Sequence, residues 1–413
     1  MLRQEVFSMK YIKVKDAAQR WGVSTRRVQD LCKQGRIPGA QLWERTWMLP
    51  VDAQYPAKEE HHIRMPMPRK TPFLIMTDLY HTPGTADASA AALAGQPEAQ
   101  ALFQAELAYY RGDLDAVYEK ANYFFQEHSG FYAVIAAGML LGHCAMWRGD
   151  IELWNKAKAH ICEAPSQNET DESIVALSLA AVDMSIRNIG GFPEWFVKGR
   201  FSRLPSDAHP AAKVYYCMCL LIYYQEVALA NKSQQGMSGL GLMKVLPNII
   251  EPMITQAQVD KTLVVELYLR LMCAVAYLNT GDTAWAIEHI DAAIALALPD
   301  GLLAPFAEYR RQLGYLLDDR LTLVDPAATK QLKQLQKQLQ QGWTQLHNAV
   351  LEKRVSASLS VREREVARLA AFGHSDQEIA DQLGVSKSTV KSLISMAKNK
   401  TGTMKRSELA AYI

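Results

Sequence analysis

Three Gly-Asp pairs, each set between two apolar helical runs, constrain the fold of this chain more than any other feature. They occur in AYYRGDLDAVYEKA (108–121), AMWRGDIELWNKA (145–157) and AYLNTGDTAWAIEHI (276–290). In each, a second apolar helical run begins directly after the pair, and small residues at a turn let paired helices pack closely, so each pair predicts the turn of a helix hairpin. Gly112 and Gly149 are 37 residues apart, a spacing typical of stacked hairpins. The pattern predicts a helical-hairpin solenoid over residues 97–350.

The composition agrees with a mostly α protein. The chain has 413 residues, 49% of them apolar and 21% charged, and helix formers dominate. Residues 1–50 carry ten Lys and Arg against four Asp and Glu, and residues 351–413 carry eleven against seven. Residues 76–350 carry twenty against twenty-nine. An anionic partner is therefore expected at the two ends of the chain.

Several classes of protein find no support in the sequence. It has no nucleophile elbow, zinc-protease motif or phosphate-binding loop, so we predict that the protein is not an enzyme. The six cysteines show no CxxC spacing, which predicts neither a metal site nor a cofactor. The start of the chain lacks a signal-peptide core, and the apolar stretches 214–224 and 263–278 are too short or interrupted by charge. We expect a cytoplasmic protein without membrane association.

The C-terminal segment SVREREVARLAAFGHSDQEIADQLGVSKSTVKSLISMAKNK starts at Ser360 and has the spacing of a helix-turn-helix. Ser360 with Glu363, and Ser375 with Glu378, have the capping-box spacing that starts a helix. In the third helix Val390, Ile394 and Ala397 form an apolar face. The rest of that helix predicts a DNA-contact set without any carboxylate: Lys387, Ser388, Thr389, Lys391, Ser392, Ser395 and Lys398. Lysines and hydroxyls suit phosphate oxygens and base edges.

Two stretches of this segment resemble the LuxR/GerE-type DNA-binding domain. They are LSVREREV (359–366) and EIADQLGVSKSTVK (378–391). The resemblance implies a four-helix domain over residues 355–413 that binds double-stranded DNA. It also implies a homodimer formed through the last helix, roughly 405–412.

The N-terminal segment predicts a second small module. Val14, Ala17, Ala18 and Trp21 form one apolar stripe, and a second stripe follows a Gly-Val-Ser turn in which Ser24 is placed as a cap. QLW and TWML predict a small β-hairpin. Residues 8–52 resemble the excisionase/MerR-like winged helix-turn-helix. The residues predicted to contact DNA here are Ser24, Arg26, Arg27, Gln29, Lys33, Arg36 and Arg45. A protein-contact role is the alternative.

The middle of the chain resembles a tetratricopeptide-like solenoid, and residues 297–321 resemble the helical sensor region of MalT-like regulators. Residues 53–96 are predicted to be a linker, extended or partly docked. In residues 329–354 a leucine-rich stripe predicts either a helix that caps the solenoid or a helix for self-association.

Together these features predict a mostly α protein: a helical-hairpin solenoid flanked by an N-terminal winged helix-turn-helix and a C-terminal LuxR-type domain. The function we predict is a one-component transcription regulator whose solenoid senses a small molecule or a protein effector. The alternative is a helical-repeat adaptor or scaffold whose end modules contact proteins or bind DNA nonspecifically.

Overall fold

The structure is a computed structural model that describes residues 11–33, 37–43, 46–55, 82–126, 130–229, 233–234, 237–351, 359–401 and 403–412. The chain forms two compact units, which comprise residues 1–63 and 64–413. Most described residues are helical, so the predicted fold class is confirmed.

The first unit contains two helices and a three-stranded antiparallel sheet. Its elements are β1 (Tyr11–Lys13), α1 (Val14–Trp21), α2 (Thr25–Lys33), β2 (Gln41–Trp43) and β3 (Thr46–Pro50). The strand order is β1-β3-β2, so the predicted hairpin is present and β1 is an addition to it. Ser24 Oγ accepts a hydrogen bond from the Arg27 amide at 3.2 Å, as its predicted capping role requires. Val28 and Leu31 of α2 are buried in the core of this unit.

The second unit begins with a series of antiparallel helices around one continuous apolar core. These helices are α3 (Ala86–Ala92), α4 (Pro97–Arg111), α5 (Leu114–Gln126), α6 (Phe131–Arg148), α7 (Ile151–Cys162), α8 (Glu169–Ser185), α9 (Glu194–Val197), α10 (His209–Leu229), α11 (Gly239–Asp260), α12 (Leu263–Thr280), α13 (Thr283–Ala297), α14 (Ala304–Val324) and α15 (Pro326–Leu351). Two short paired strands, β4 (Ser233–Gln234) and β5 (Met237–Ser238), lie between α10 and α11.

The three Gly-Asp pairs form the hairpin turns that the sequence predicts. Gly112, Gly149 and Gly281 end α4, α6 and α12 with φ values of 83°, 69° and 91°, in the left-handed region that favours glycine. Asp150 then caps α7, because its Oδ1 accepts from the Leu153 amide at 2.9 Å. Asp113 caps α5 in the same way, since its Oδ1 accepts from the Ala116 amide at 3.1 Å, whereas the Asp282 side chain forms no cap at the start of α13.

Part of the predicted linker is docked on this helical domain. Helix α3 lies within residues 53–96, and its Ala86 is buried in the apolar core. Asp300 accepts hydrogen bonds from the Gly84 and Ala86 amides at 2.7 and 3.0 Å. Residues 56–81 of the predicted linker lie outside the described residues.

The leucine-rich stripe of α15 packs inside the helical domain. Leu332 and Leu346 are fully buried, and Trp343 donates from Nε1 to the Ser185 carbonyl at 2.9 Å. Gly342 has no side chain, which lets α15 touch the backbone at the end of α6. The structure therefore favours the capping helix over the self-association helix, since this stripe is already covered.

The C-terminal domain contains α16 (Val361–Ala371), α17 (Asp376–Leu383), α18 (Lys387–Thr401) and a 3-10 helix (Arg406–Tyr412). Both predicted capping boxes are present, at the starts of α16 and α17. The last element is a 3-10 helix at the position predicted for the fourth helix. Its Leu409 is buried against Ala367 of α16 and Ala397 of α18.

Among the described residues, two helices, α6 and α12, are long and apolar enough to cross a membrane. They are 78% and 83% buried inside the protein over the apolar window. Such burial is what the central helices of a large protein core show.

Candidate nucleic-acid interface

Helix α18 is held by an apolar face that points toward the rest of its domain. Val390 and Ala397 are fully buried. Val390 packs with Ile379 and Ala380 of α17, and Ile394 covers the edge of this contact. The predicted apolar face is therefore correct. Because residues at these spacings share one side of a helix, the remaining positions of α18 face outward.

The predicted DNA-contact set lies on that outward surface. Six of its seven side chains are exposed and the seventh, Lys398, is half-buried. Ser386 Oγ accepts from the Thr389 amide at 3.1 Å and so caps the start of α18. The Ser388 and Thr389 hydroxyls lie 2.7 and 2.8 Å from the same oxygen. Hydroxyl groups thus cluster at the helix N-terminus, where an anion is favoured.

Two lysines of this surface keep their charge unpaired within the described part of the chain. Lys387 and Lys391 form no ion pair with any described residue. Lys400 differs, since its Nζ lies 2.7 Å from Glu363 at the start of α16. Lys400 therefore anchors the helix, whereas Lys387 and Lys391 offer free positive charge.

The helical domain contacts the C-terminal domain without covering α18. Among the described residues, the hydrogen bonds between the two come from α16, α17 and the turn that joins them. Arg368 donates to the Asn279 side chain, and His374 Nε2 lies 2.9 Å from the Asn279 carbonyl oxygen. Gln382 donates to the Leu278 carbonyl at 2.5 Å. The end of α12 thus supports the helix-turn-helix from behind.

The N-terminal set lies in the other compact unit. Ser24, Arg26, Arg27, Gln29 and Lys33 are all exposed around α2. The two remaining predicted residues, Arg36 and Arg45, lie outside the described residues. The exposed surface of α2 is therefore basic.

The structure also brings together three side chains of types that can bind a metal ion, although they lie far apart in the sequence. Glu251, Cys273 and His289 come from α11, α12 and α13, and their ligand atoms lie within 4.8 Å of one another. Tyr277 donates to Glu251 at 2.5 Å, and the His289 ring stacks on the Tyr277 ring. The protein's own contacts therefore engage two of the three side chains.

The fold and this surface define a helix-turn-helix DNA-binding domain mounted on a large helical domain. Residues 357–413 match the family GerE, described as bacterial regulatory proteins, luxR family. This match confirms the LuxR/GerE resemblance of the C-terminal domain and supports a DNA-binding transcription regulator. No curated protein and no solved structure matched the chain. The excisionase/MerR-like and tetratricopeptide-like resemblances stay predictions.

Proposed function

We propose that the protein is a cytoplasmic, one-component transcription regulator that binds specific double-stranded DNA sites as a homodimer. The single observation that carries this proposal is the outward surface of α18 in a domain of the luxR family. Lys387 and Lys391 would contact phosphates, while Ser388, Ser392 and Ser395 would reach base edges in the major groove. The role is binding rather than catalysis.

The helical domain would supply the signal. It contacts the helix-turn-helix directly through α12 and α14, so a change in its packing would reach α16 and α17. It also contains a partly open cavity of about 180 Å³ close to this contact. A ligand or protein effector acting on this domain would alter how α18 is presented.

Selection from sheared genomic DNA tests the proposed function. We expect the full-length protein to enrich a small number of fragments. The double variant Lys391→Ala with Ser392→Ala should lose them, because it removes one phosphate contact and one base contact. The matched control Lys330→Ala changes an exposed lysine on α15 and should enrich the same fragments. Enrichment that is equal for all three proteins would contradict sequence-specific reading by α18.

The alternative is an adaptor whose end modules contact proteins. One observation favours it for the N-terminal unit: Leu42 and Trp43 of β2 are 56% and 63% exposed. Exposed tryptophan is typical of protein interfaces. If Arg26→Ala weakens DNA binding and Trp43→Ala does not, the module contacts DNA. The opposite result assigns it to a protein partner.

A further inference from the structure

A cavity of about 180 Å³ lies between α4, α6, α8, α10, α12, α14 and α15. Its apolar wall includes Met184, Met218 and Leu221, and Trp343 forms one side. A cavity of roughly 150 Å³ accepts a molecule the size of benzene. The space therefore suits a compact apolar group of about one aromatic ring.

One side of the cavity is strongly cationic. Arg187 and Arg311 both line it, and the guanidinium of Arg311 lies 5.2 Å from the centre of the Trp343 ring. Burial lowers the pKa of Arg311 well below its ordinary value, and the charges of Arg364 and Arg187 lower it further. Like charges so close together in a buried site are unfavourable unless an anion joins them.

Arg310, the residue before Arg311, is a buried arginine whose charge is neutralised by a carboxylate. Arg310 donates to both carboxylate oxygens of Asp318, at 2.7 and 2.6 Å, and to Gln336 at 3.0 Å. Arg311 forms no ion pair with any described residue, and its buried Nη2 has no hydrogen-bond partner among them. The charge of Arg310 is thus neutralised by Asp318, whereas Arg311 lines the cavity without a described carboxylate partner.

Gln225 supplies a second buried hydrogen-bond donor in the lining of the cavity. Gln225 is 3% exposed, and its Oε1 accepts from Arg187 at 2.7 Å. This bond turns the Gln225 amide nitrogen away from Arg187, and that nitrogen has no partner among the described residues. Arg187 itself has a φ of 64°, a conformation that costs a non-glycine residue free energy. This conformation ends α8, where the Asn188 amide donates to the Asp183 carbonyl at 3.1 Å, and it fixes the backbone of Arg187 at the edge of the cavity.

The carboxyl group of Glu308 also lines the cavity, and it is held by the protein. It accepts hydrogen bonds from the hydroxyls of Tyr109 and Tyr268. Burial raises its pKa to about 7, which reduces its negative charge near neutrality. Among the described lining residues, one such carboxyl faces two arginines, so the cavity stays positive.

The cationic side of the cavity continues to the C-terminal domain. A smaller cavity is lined by Arg187, Gln225, Arg311 and Gln312 together with Arg364, Arg368 and Phe372 of the C-terminal domain. Gln340 lines the main cavity, and its amide oxygen accepts from the Arg364 guanidinium at 2.9 and 3.2 Å when the amide is turned toward it. The cluster of buried arginines therefore includes residues from both domains.

We propose that this cavity binds a small organic anion, with its carboxylate or phosphate held by Arg311, Arg187 and Gln225 and its apolar body against Met184, Met218 and Trp343. The bound anion neutralises the arginine cluster and changes the contact between α16 and the helical domain. The regulatory role of the bound anion rests on the proposed function. The binding itself is independent of DNA.

Benzoate and phenyl phosphate are the probes, and benzamide is their neutral counterpart. We expect one or both anions at about 10 mM to raise the thermal midpoint of the full-length protein by about 3 °C or more. Benzamide, and sodium chloride at equal ionic strength, should leave the midpoint unchanged. Anion binding should also change the tryptophan fluorescence, and Trp343→Phe should remove that change. No shift with either anion, or an equal shift with benzamide, would overturn the proposal.

Variants of α14 locate the anion. Arg311→Gln should weaken binding about tenfold or more, since it removes a charge-assisted hydrogen bond. Arg311→Lys keeps the charge without the planar fork and should give an intermediate affinity. Arg320→Gln is the matched control, because Arg320 lies on the same helix and pairs with Asp291 at its surface. If Arg311→Gln and Arg311→Lys both bind like the wild type, the anion does not occupy this cavity.

Hydrogen exchange separates this proposal from the proposed function. Saturating anion should change the exchange of α16 and α17 amides in the full-length protein without DNA. A midpoint shift without any exchange change would overturn the coupling between cavity and C-terminal domain. If the protein binds the anion but selects no genomic fragment, the proposal of an anion site stands and the proposed regulatory function fails.

Discussion

Lys391 is the residue whose role on α18 can be measured most directly. It is exposed and pairs with no carboxylate of the described residues, so phosphate is its expected partner. Lys391→Ala should weaken binding to all DNA sequences and lower the slope of log affinity against log salt by about one. Fluorescence anisotropy over a salt series measures this slope. Lys330→Ala should leave it unchanged, and an unchanged slope for Lys391→Ala would place this lysine away from the backbone.

Glu308 makes the stability of the helical domain depend on pH. Its pKa in the folded protein is about 7, above the ordinary value for a carboxyl, because it is buried. At a pH between the ordinary carboxyl pKa and about 7, Glu308 is ionised in the unfolded chain but protonated in the folded protein. Unfolding therefore releases a proton, and the free energy of unfolding falls as pH rises toward 7.

The variant Glu308→Gln should remove this dependence. It keeps one oxygen that can accept from a tyrosine hydroxyl, replaces the other oxygen by an amide nitrogen that donates, and never ionises. Urea unfolding at pH 5 and pH 8 measures the effect as the difference between wild type and variant, in which other titrations cancel. We expect the variant to gain about 1 to 3 kcal/mol relative to wild type at pH 8 and little at pH 5. Equal differences at both pH values would show that Glu308 does not titrate in this range.

At the scale of elements, a bend in α14 allows the C-terminal domain to dock. Gly314 has φ 63° and ψ −145°, which interrupts the helix. A side chain at this position would overlap the Glu365 carboxylate of α16. The bend also lets the Tyr315 amide bond to Glu365, while Arg362 lies over the Tyr315 ring at 5.2 Å.

Gly314→Ala should therefore loosen α16 from α14. Gly301→Ala is the matched control, because Gly301 also has a positive φ, of 70°, but has open space around it. Both variants carry backbone strain of about 1 kcal/mol or more. Only Gly314→Ala should speed the hydrogen exchange of α16 amides, by about tenfold or more. Equal exchange in both variants would show that the bend has no part in docking.

Local chemistry explains which elements the sequence predicts. The capping boxes at Ser360 and Ser375 and the Gly-Asp turns depend on residues a few positions apart, so they are visible in the sequence. Strand β1 and helix α3 were not predicted, because tertiary contacts stabilise them: β1 pairs with β3, and α3 is tied to Asp300. The bend at Gly314 depends on a partner 51 positions away, which no local pattern records.

The same reasoning applies to the sites. The surface of α18 belongs to one helix, so its lysines and hydroxyls could be assigned from helical spacing alone. The arginine cluster combines Arg187, Arg311 and Arg364 from three separate parts of the chain. Each is unremarkable in the sequence, and only the packing of α14 and α16 brings them together. Non-local sites of this kind need the fold.

At the scale of the whole molecule, the helical domain and the C-terminal domain form one compact unit. The sequence predicted separate domains with a boundary near residue 355, and residues 352–358 lie outside the described residues. Phe372 of the C-terminal domain packs in the apolar core of the helical domain. A signal in the helical domain therefore needs no flexible tether to reach α16 and α17.

The homodimer is the last prediction that belongs to this scale. The apolar stripe of α15 is buried, and Leu409 of the last helix is buried too, so within the predicted contact at residues 405–412 we expect the exposed Lys405, Ser407 and Glu408 to meet the partner. A selected DNA site should then hold two chains on half-sites about one helical turn apart. Light scattering of the complex should give two chains per duplex, and deleting one half-site should weaken binding at least about tenfold. One chain per duplex with unchanged affinity for the single half-site would show that the protein reads DNA as a monomer.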